Sequence, residues 1–198
     1  MNKGKQVPVI TVALIIINVI VFVCLEAAGS TEDSFYMLQN GAASGQLIFL
    51  EKQYYRVFTS MFLHFGFYHL LNNMFMLAVI GASLENTIGR FSFLITYLIS
   101  GVAGNVCSAA YYLSIGDTVI SAGASGAIFG LLGALMVVII KDRKGEGKGV
   151  AVRMLVLAAL LIFGNISMEG IDYIAHAGGL VAGVLLGLLL YRPSAKKG

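Results

Sequence analysis

The sequence predicts an all-α membrane protein with six transmembrane helices. Three observations predict it. Of 198 residues, 58% are hydrophobic and only 12% charged, where soluble domains carry about 25% charged residues. Six apolar segments come close to the roughly 20 residues that cross about 30 Å of hydrocarbon. The basic residues also fall almost entirely on one side of those segments, as expected for loops facing the cytoplasm.

The segments run roughly 7–28, 68–88, 91–113, 122–140, 151–166 and 172–191. The first follows Lys3 and Lys5, as a signal peptide would, but its apolar core is about 18 residues or more. That exceeds the 7–15 residues of a typical signal h-region, so it reads as a retained helix. The second holds His69, Asn73 and Glu85, and the fourth opens on Ser125. The fifth is the shortest, and the sixth opens near His176. Residues 29–67 are too apolar for disorder ("FYMLQNGAASGQLIFL") and are expected to form a partly helical first loop at the interface. The whole chain, 1–198, reads as one membrane domain.

Charge sets the orientation. With Lys3 and Lys5 inside, Arg90, Lys141, Arg143, Lys144, Lys148, Arg153, Arg192, Lys196 and Lys197 are inside too, making 11 of 13 basic residues. Lys52 and Arg56 are outside. Both termini are therefore expected in the cytoplasm. Helices two, four and six then run from outside to inside, which brings His69, Ser125 and His176 to one depth near the outer leaflet.

The net charge of +3 and the lack of a basic patch give no sign of nucleic-acid binding. Cys24 and Cys107 form neither a C-x-x-C motif nor a disulfide framework. The residues imply no cofactor and no metal. Three histidines could ligate zinc, but "HFGFYH" lacks the glutamate of H-E-x-x-H, and a metal centre leaves Ser125 unexplained.

Histidine inside a membrane is a functional hypothesis by default. Ser125 alone reads as a packing residue, since Ala124, Gly126 and Gly130 suit a close helix contact. His176 changes that reading. In "HAGGLVAGVLLG", Gly179, Gly183 and Gly187 fall within about 80° of one another on the face that carries His176. Helix four offers Gly126, Gly130 and Gly133 in return. Backbone-to-backbone packing would bring Ser125 within hydrogen-bond reach of His176, as a serine nucleophile requires of its base. In "HLLNNM", His69 and Asn73 share one helix face and could donate to a developing oxyanion. Ser125 at a helix N-terminus adds backbone N–H groups. Asp172 could orient His176, but the favoured reading is a solvated loop residue at a helix start, leaving a dyad. Glu85 reads as structural.

Four stretches, "YRVFTSMFLHFGFYHLLNNMFML", "GASLENTIG", "GASGAIFG" and "HAGGLVAG", resemble the rhomboid family of intramembrane serine proteases, in family order. The resemblance covers roughly residues 40–190. It implies a six-helix rhomboid-like core of bacterial type, with Ser125 as nucleophile, His176 as general base, and His69, Asn73 and the Ser125 N–H as the oxyanion site. It also implies supporting roles for Gly123, for His64 bracing the loop before helix two, and for Arg56 of the family's Trp-Arg pair. Gly179 belongs to the glycine face below His176. Position 55 is Tyr, not Trp, and Phe129 stands where a Tyr often stacks on the histidine. The implied activity is cleavage of transmembrane protein substrates within the lipid bilayer. Such a chain is expected to be an integral multi-pass protein of a prokaryotic cell membrane. The alternatives are a rhomboid-like chaperone that binds helices without cutting, or a His-ligated metal protein. Oligomeric state and natural substrate are not written in the residues.

Overall fold

A run of mostly β-branched and aliphatic residues, with Pro8 before its first turn, forms α1 (Val9–Ala28). Proline suits a helix start, where its missing N–H has no partner to lose. The computed structural model describes residues 7–142 and 172–193. Four further long helices follow: α3 (Gly66–Ile88), α4 (Arg90–Ser114), α5 (Ser125–Asp142) and α6 (Tyr173–Leu190). With α1 they are the five described helices long and apolar enough to cross a membrane. The expected fifth span, 151–166, lies outside the described residues. Among the described residues there is no β-strand, only one isolated antiparallel bridge between Ala43 and Ser121.

The first loop is folded and partly helical. Asp33 caps the short helix α2 (Ser34–Gln39) by accepting the Phe35 and Tyr36 N–H groups. The buried Arg56 guanidinium then ties the loop together. It donates to the carbonyls of Leu38 (2.6 Å) and Ala42 (2.8 Å) and to Gln53 Oε1 (2.7 Å). Tyr55 stands where the family has Trp: its ring lies 5.4 Å from the Arg56 guanidinium and its hydroxyl donates to Gln53. Phe35, Leu50, Tyr54 and Phe58 point outward, as befits an interfacial segment.

Helix α3 begins at Gly66 (φ +73°), two residues before the expected start, and contains a π-helical turn over Leu77–Gly81. Below that turn Glu85 is buried and caps α1 from the side. It accepts the Ile10 N–H (3.0 Å), the Thr11 N–H (2.8 Å) and the Thr11 hydroxyl (2.8 Å). A carboxylate here meets both the orphan amides and the positive end of the helix dipole. Its structural reading therefore holds. Glu85→Ala leaves two backbone donors unsatisfied, each costing about 1–3 kcal/mol. It should lower the unfolding midpoint clearly in mild detergent, while Thr11→Val should cost less.

The core is a three-helix packing of α4, α5 and α6 built on glycine. A Cβ on Gly179 or Gly183 would overlap the carbonyl of Gly126 or Gly130, and one on Gly133 would overlap that of Leu180. A Cβ on Gly104 would come within 2.5 Å of the Ala175 carbonyl oxygen. The contact pairs advance together along α5 and α6, so these helices run parallel; along α4 they run in reverse. Without a hydrophobic force between helices in lipid, such backbone contacts provide the association by dispersion.

Candidate active site

Gly123 decides where the serine sits. Its φ of +138° is a conformation that side-chain-bearing residues rarely adopt. This turn delays α5 to Ser125, three residues past the expected start, and makes Ser125 the first helical residue. The first N–H groups of a helix have no acceptor within it, so the Ser125 amide is available to a ligand. A Cβ on Gly123 would also lie 3.0 Å from both Cε1 and Nε2 of His69.

The glycine packing of α5 against α6 brings His176 to Ser125. His176 Nε2 lies 2.8 Å from Ser125 Oγ, a bond across 51 residues of sequence. With Nε2 accepting the serine proton, the imidazole proton sits on Nδ1. That atom is buried and has no partner among the described residues. Phe129, one turn after Ser125, stacks on the His176 ring at 4.4 Å between centroids and 16° between planes. Stacking needs only the ring face, so the lost Tyr hydroxyl does not disturb it.

His69 and Asn73 stand opposite on α3. The Phe65 N–H donates to His69 Nδ1 (3.3 Å), so in the neutral ring the proton is on Nε2, the nitrogen facing Gly123. His69 thus presents a donor toward Gly123, on the wall of the cavity that Ser125 also lines. Asn73 Nδ2 donates to the His69 carbonyl at 2.9 Å, which uses one of its two amide hydrogens and leaves the other. His69, Asn73, Gly123, Ser125, Phe129 and His176 all line one cavity of about 910 Å³.

His64 reaches further than the loop it was expected to brace. It is wholly buried, packs edge-on against His69, and its Nε2 accepts the Ala124 N–H at 3.4 Å. Burial, with a smaller contribution from nearby His69, holds its pKa down to about 3. His64 is therefore neutral across physiological pH and can keep accepting that bond.

Sequence reasoning missed three polar groups and one partner of a fourth. Ser60, wholly buried, accepts the Gly123 N–H through its carbonyl (2.9 Å). Asn105 of α4 in turn donates to Ser60 Oγ (2.8 Å) and to the Val57 carbonyl (2.9 Å). Ser108, one turn on, donates to Asp172. The signal for the last two was present as polar residues three apart inside an apolar helix. Asp172 stands at the helix start, as expected, and is half-buried, but it also has a partner on another helix. It caps α6 by accepting the Ala175 N–H at 2.9 Å, and its second carboxylate oxygen is taken by Ser108.

Comparison with known proteins bears on this arrangement. The Rhomboid domain model matches residues 51–193. The chain is 31% identical over 194 residues to Rhomboid protease GluP of Bacillus subtilis, covering 98% of this chain and 37% of that protein. It is 38% identical over 151 residues to RHOMBOID-like protein 7 of Arabidopsis thaliana, covering 76% and 47%. It is 30% identical over 145 residues to Putative rhomboid protease YdcA of Bacillus subtilis, covering 73% and 71%. The chain thus spans less than half the length of the first two relatives. With the domain matched over most of its length and a helical membrane core around the matched motifs, the chain belongs to the rhomboid family.

Proposed function

We propose that the chain is an intramembrane serine endopeptidase that cleaves transmembrane protein substrates near the outer leaflet by a Ser125–His176 dyad. The observation that carries this reading is the 2.8 Å bond between His176 Nε2 and Ser125 Oγ on the wall of a large cavity. Ser125 Oγ attacks the scissile carbonyl while His176 Nε2 takes its proton. The developing oxyanion is met by the Ser125 N–H, by His69 Nε2–H and by Asn73 Nδ2. His176 then protonates the leaving amine, and water releases the acyl chain by the reverse path.

A helical substrate keeps its carbonyls bonded to its own amides, so it must open locally before attack. Substrates with Gly, Pro or polar residues in the outer third of the helix meet that need. A small scissile residue suits a glycine-lined site. One domain, both termini in the cytoplasm and a prokaryotic cell membrane complete the proposal. In support of that orientation, Lys141 at the end of α5 donates to the carbonyls of Leu188 and Tyr191 near the end of α6, so this bundle end carries Lys141 and Arg192.

A fluorophosphonate probe added to the detergent-solubilised chain should label Ser125, as read by peptide mass spectrometry. Labelling elsewhere, with Ser125 untouched, would end the reading. For the oxyanion site, His69→Ala and Asn73→Ala should each lower turnover by about 10²–10³, the usual loss for one such donor. Wild-type rates in both variants would reassign the two residues to helix packing.

A further inference from the structure

The first turn of α6 is held in a way that the dyad itself does not explain. Among the described residues, Asp172 accepts three hydrogen bonds. Oδ1 accepts the Ala175 N–H at 2.9 Å, its backbone carbonyl accepts the His176 N–H at 3.2 Å, and Oδ2 accepts the Ser108 hydroxyl at 2.5 Å. Ser108 belongs to α4 and is 2% exposed. Among the described residues, the hydrogen bonds that join the start of α6 to other helices include Ser108–Asp172 and His176–Ser125.

Between these bonds and the Lys141 contacts with the Leu188 and Tyr191 carbonyls at the far end, the α6 interface is smooth. Gly179, Gly183 and Gly187 meet backbone atoms of α5, and Gly178 meets Gly104 and Cys107 of α4. Smooth faces attract by dispersion but have few interlocking side chains to resist sliding along the axis. A slip of one residue moves a helix by about 1.5 Å, enough to break a 2.8 Å bond between His176 and Ser125. The Lys141 bonds hold the far end of α6 against α5; at the His176 end the Ser108–Asp172 pair fixes its height against α4, because leaving the buried Ser108 hydroxyl unpaired is costly.

We propose that Ser108 and Asp172 form a clamp that sets the height of α6 against α4, and through it the position of His176 at Ser125. Both are positioning residues. Asp172 acts through the backbone cap it makes, not as an acid on the imidazole. The inference rests on the proposed dyad, but part of its test does not.

The test uses the full chain in liposomes with a transmembrane substrate, with kcat and KM measured separately. Ser108→Ala and Asp172→Ala should lower kcat by up to about 10²-fold, the scale of a 1 Å misplacement, with KM changed less than about twofold. Asp172→Asn should stay near wild type. Its amide oxygen can cap Ala175, its Nδ2 can donate to Ser108 Oγ, and Asn caps helices as well as Asp does. Hydrogen exchange at the Ala175 and His176 amides should quicken in Ser108→Ala. Wild-type kcat in Ser108→Ala overturns the clamp. Asp172→Asn as impaired as Asp172→Ala also overturns it, since that pattern belongs to a charge acting on the base. Should the wild-type chain show no Ser125-dependent cleavage, the proposed activity fails. The exchange arm then still decides: unchanged protection in Ser108→Ala overturns the clamp.

Discussion

Ser125→Ala and His176→Ala are each expected to abolish cleavage of a transmembrane substrate while leaving an inserted, folded chain. Both side chains face the cavity, and neither lies in the glycine contact that joins α5 to α6. Removing Oγ removes the atom that would form the acyl bond. Removing the imidazole leaves the serine without a base at 2.8 Å. In a serine protease whose nucleophile and base act as a unit, loss of either costs on the order of 10⁶ in kcat, and loss of both costs little more. The double variant should therefore match the singles. The measurement is substrate cleavage per folded enzyme, with folding checked by a thermal or denaturant midpoint. Robust cleavage by Ser125→Ala would remove the protease reading and favour a family member that binds helices without cutting them.

Gly183→Ala is expected to cause the second-largest loss, through packing. The added Cβ would overlap O, C and Cα of Gly130. These are backbone atoms of a helix and cannot rotate aside, so α5 and α6 must separate. Overpacking of this kind costs roughly 1–3 kcal/mol, occasionally more, and a contact with backbone on both sides belongs at the upper end. Separation also lengthens the His176–Ser125 bond one to two turns above, so cleavage should fall alongside stability. Val181→Ala on the same helix, whose side chain is 59% exposed, should be close to neutral in both assays. The comparison is an unfolding midpoint in mixed micelles together with cleavage rates. A Gly183→Ala variant with wild-type values for both would show that the glycine face is not what holds the dyad together.

Much of the site was legible because membrane sequences leave few places for polar groups. Three histidines, a serine and an asparagine stand out against apolar helices, since each polar group there needs a partner or a use. The glycines at 126, 130, 179 and 183 announced a close helix contact by their spacing alone. Asp172 and Ser108 were harder. An Asp at a helix start is common, and its cap to Ala175 could be guessed, but its second partner lies 64 residues away on another helix. Ser60 was illegible, because what matters there is its backbone carbonyl, which every residue has.

The sequence by itself determined that the chain needs a bilayer, where the five described long helices fall to within a few residues, and which faces of α5 and α6 can touch. These follow from composition, length and the 3.6-residue period, all local properties of the chain. Only the tertiary structure decided the turn that leads into α5, the tautomer that His69 presents, and the way α6 is pinned to α4. The first depends on the +138° φ of Gly123. The second depends on the Phe65 amide reaching His69 Nδ1. The third depends on a buried hydroxyl meeting a carboxylate across two helices. Each is a directional bond or a backbone angle fixed by neighbours distant in sequence or by the turn they enforce, and periodicity carries no record of either.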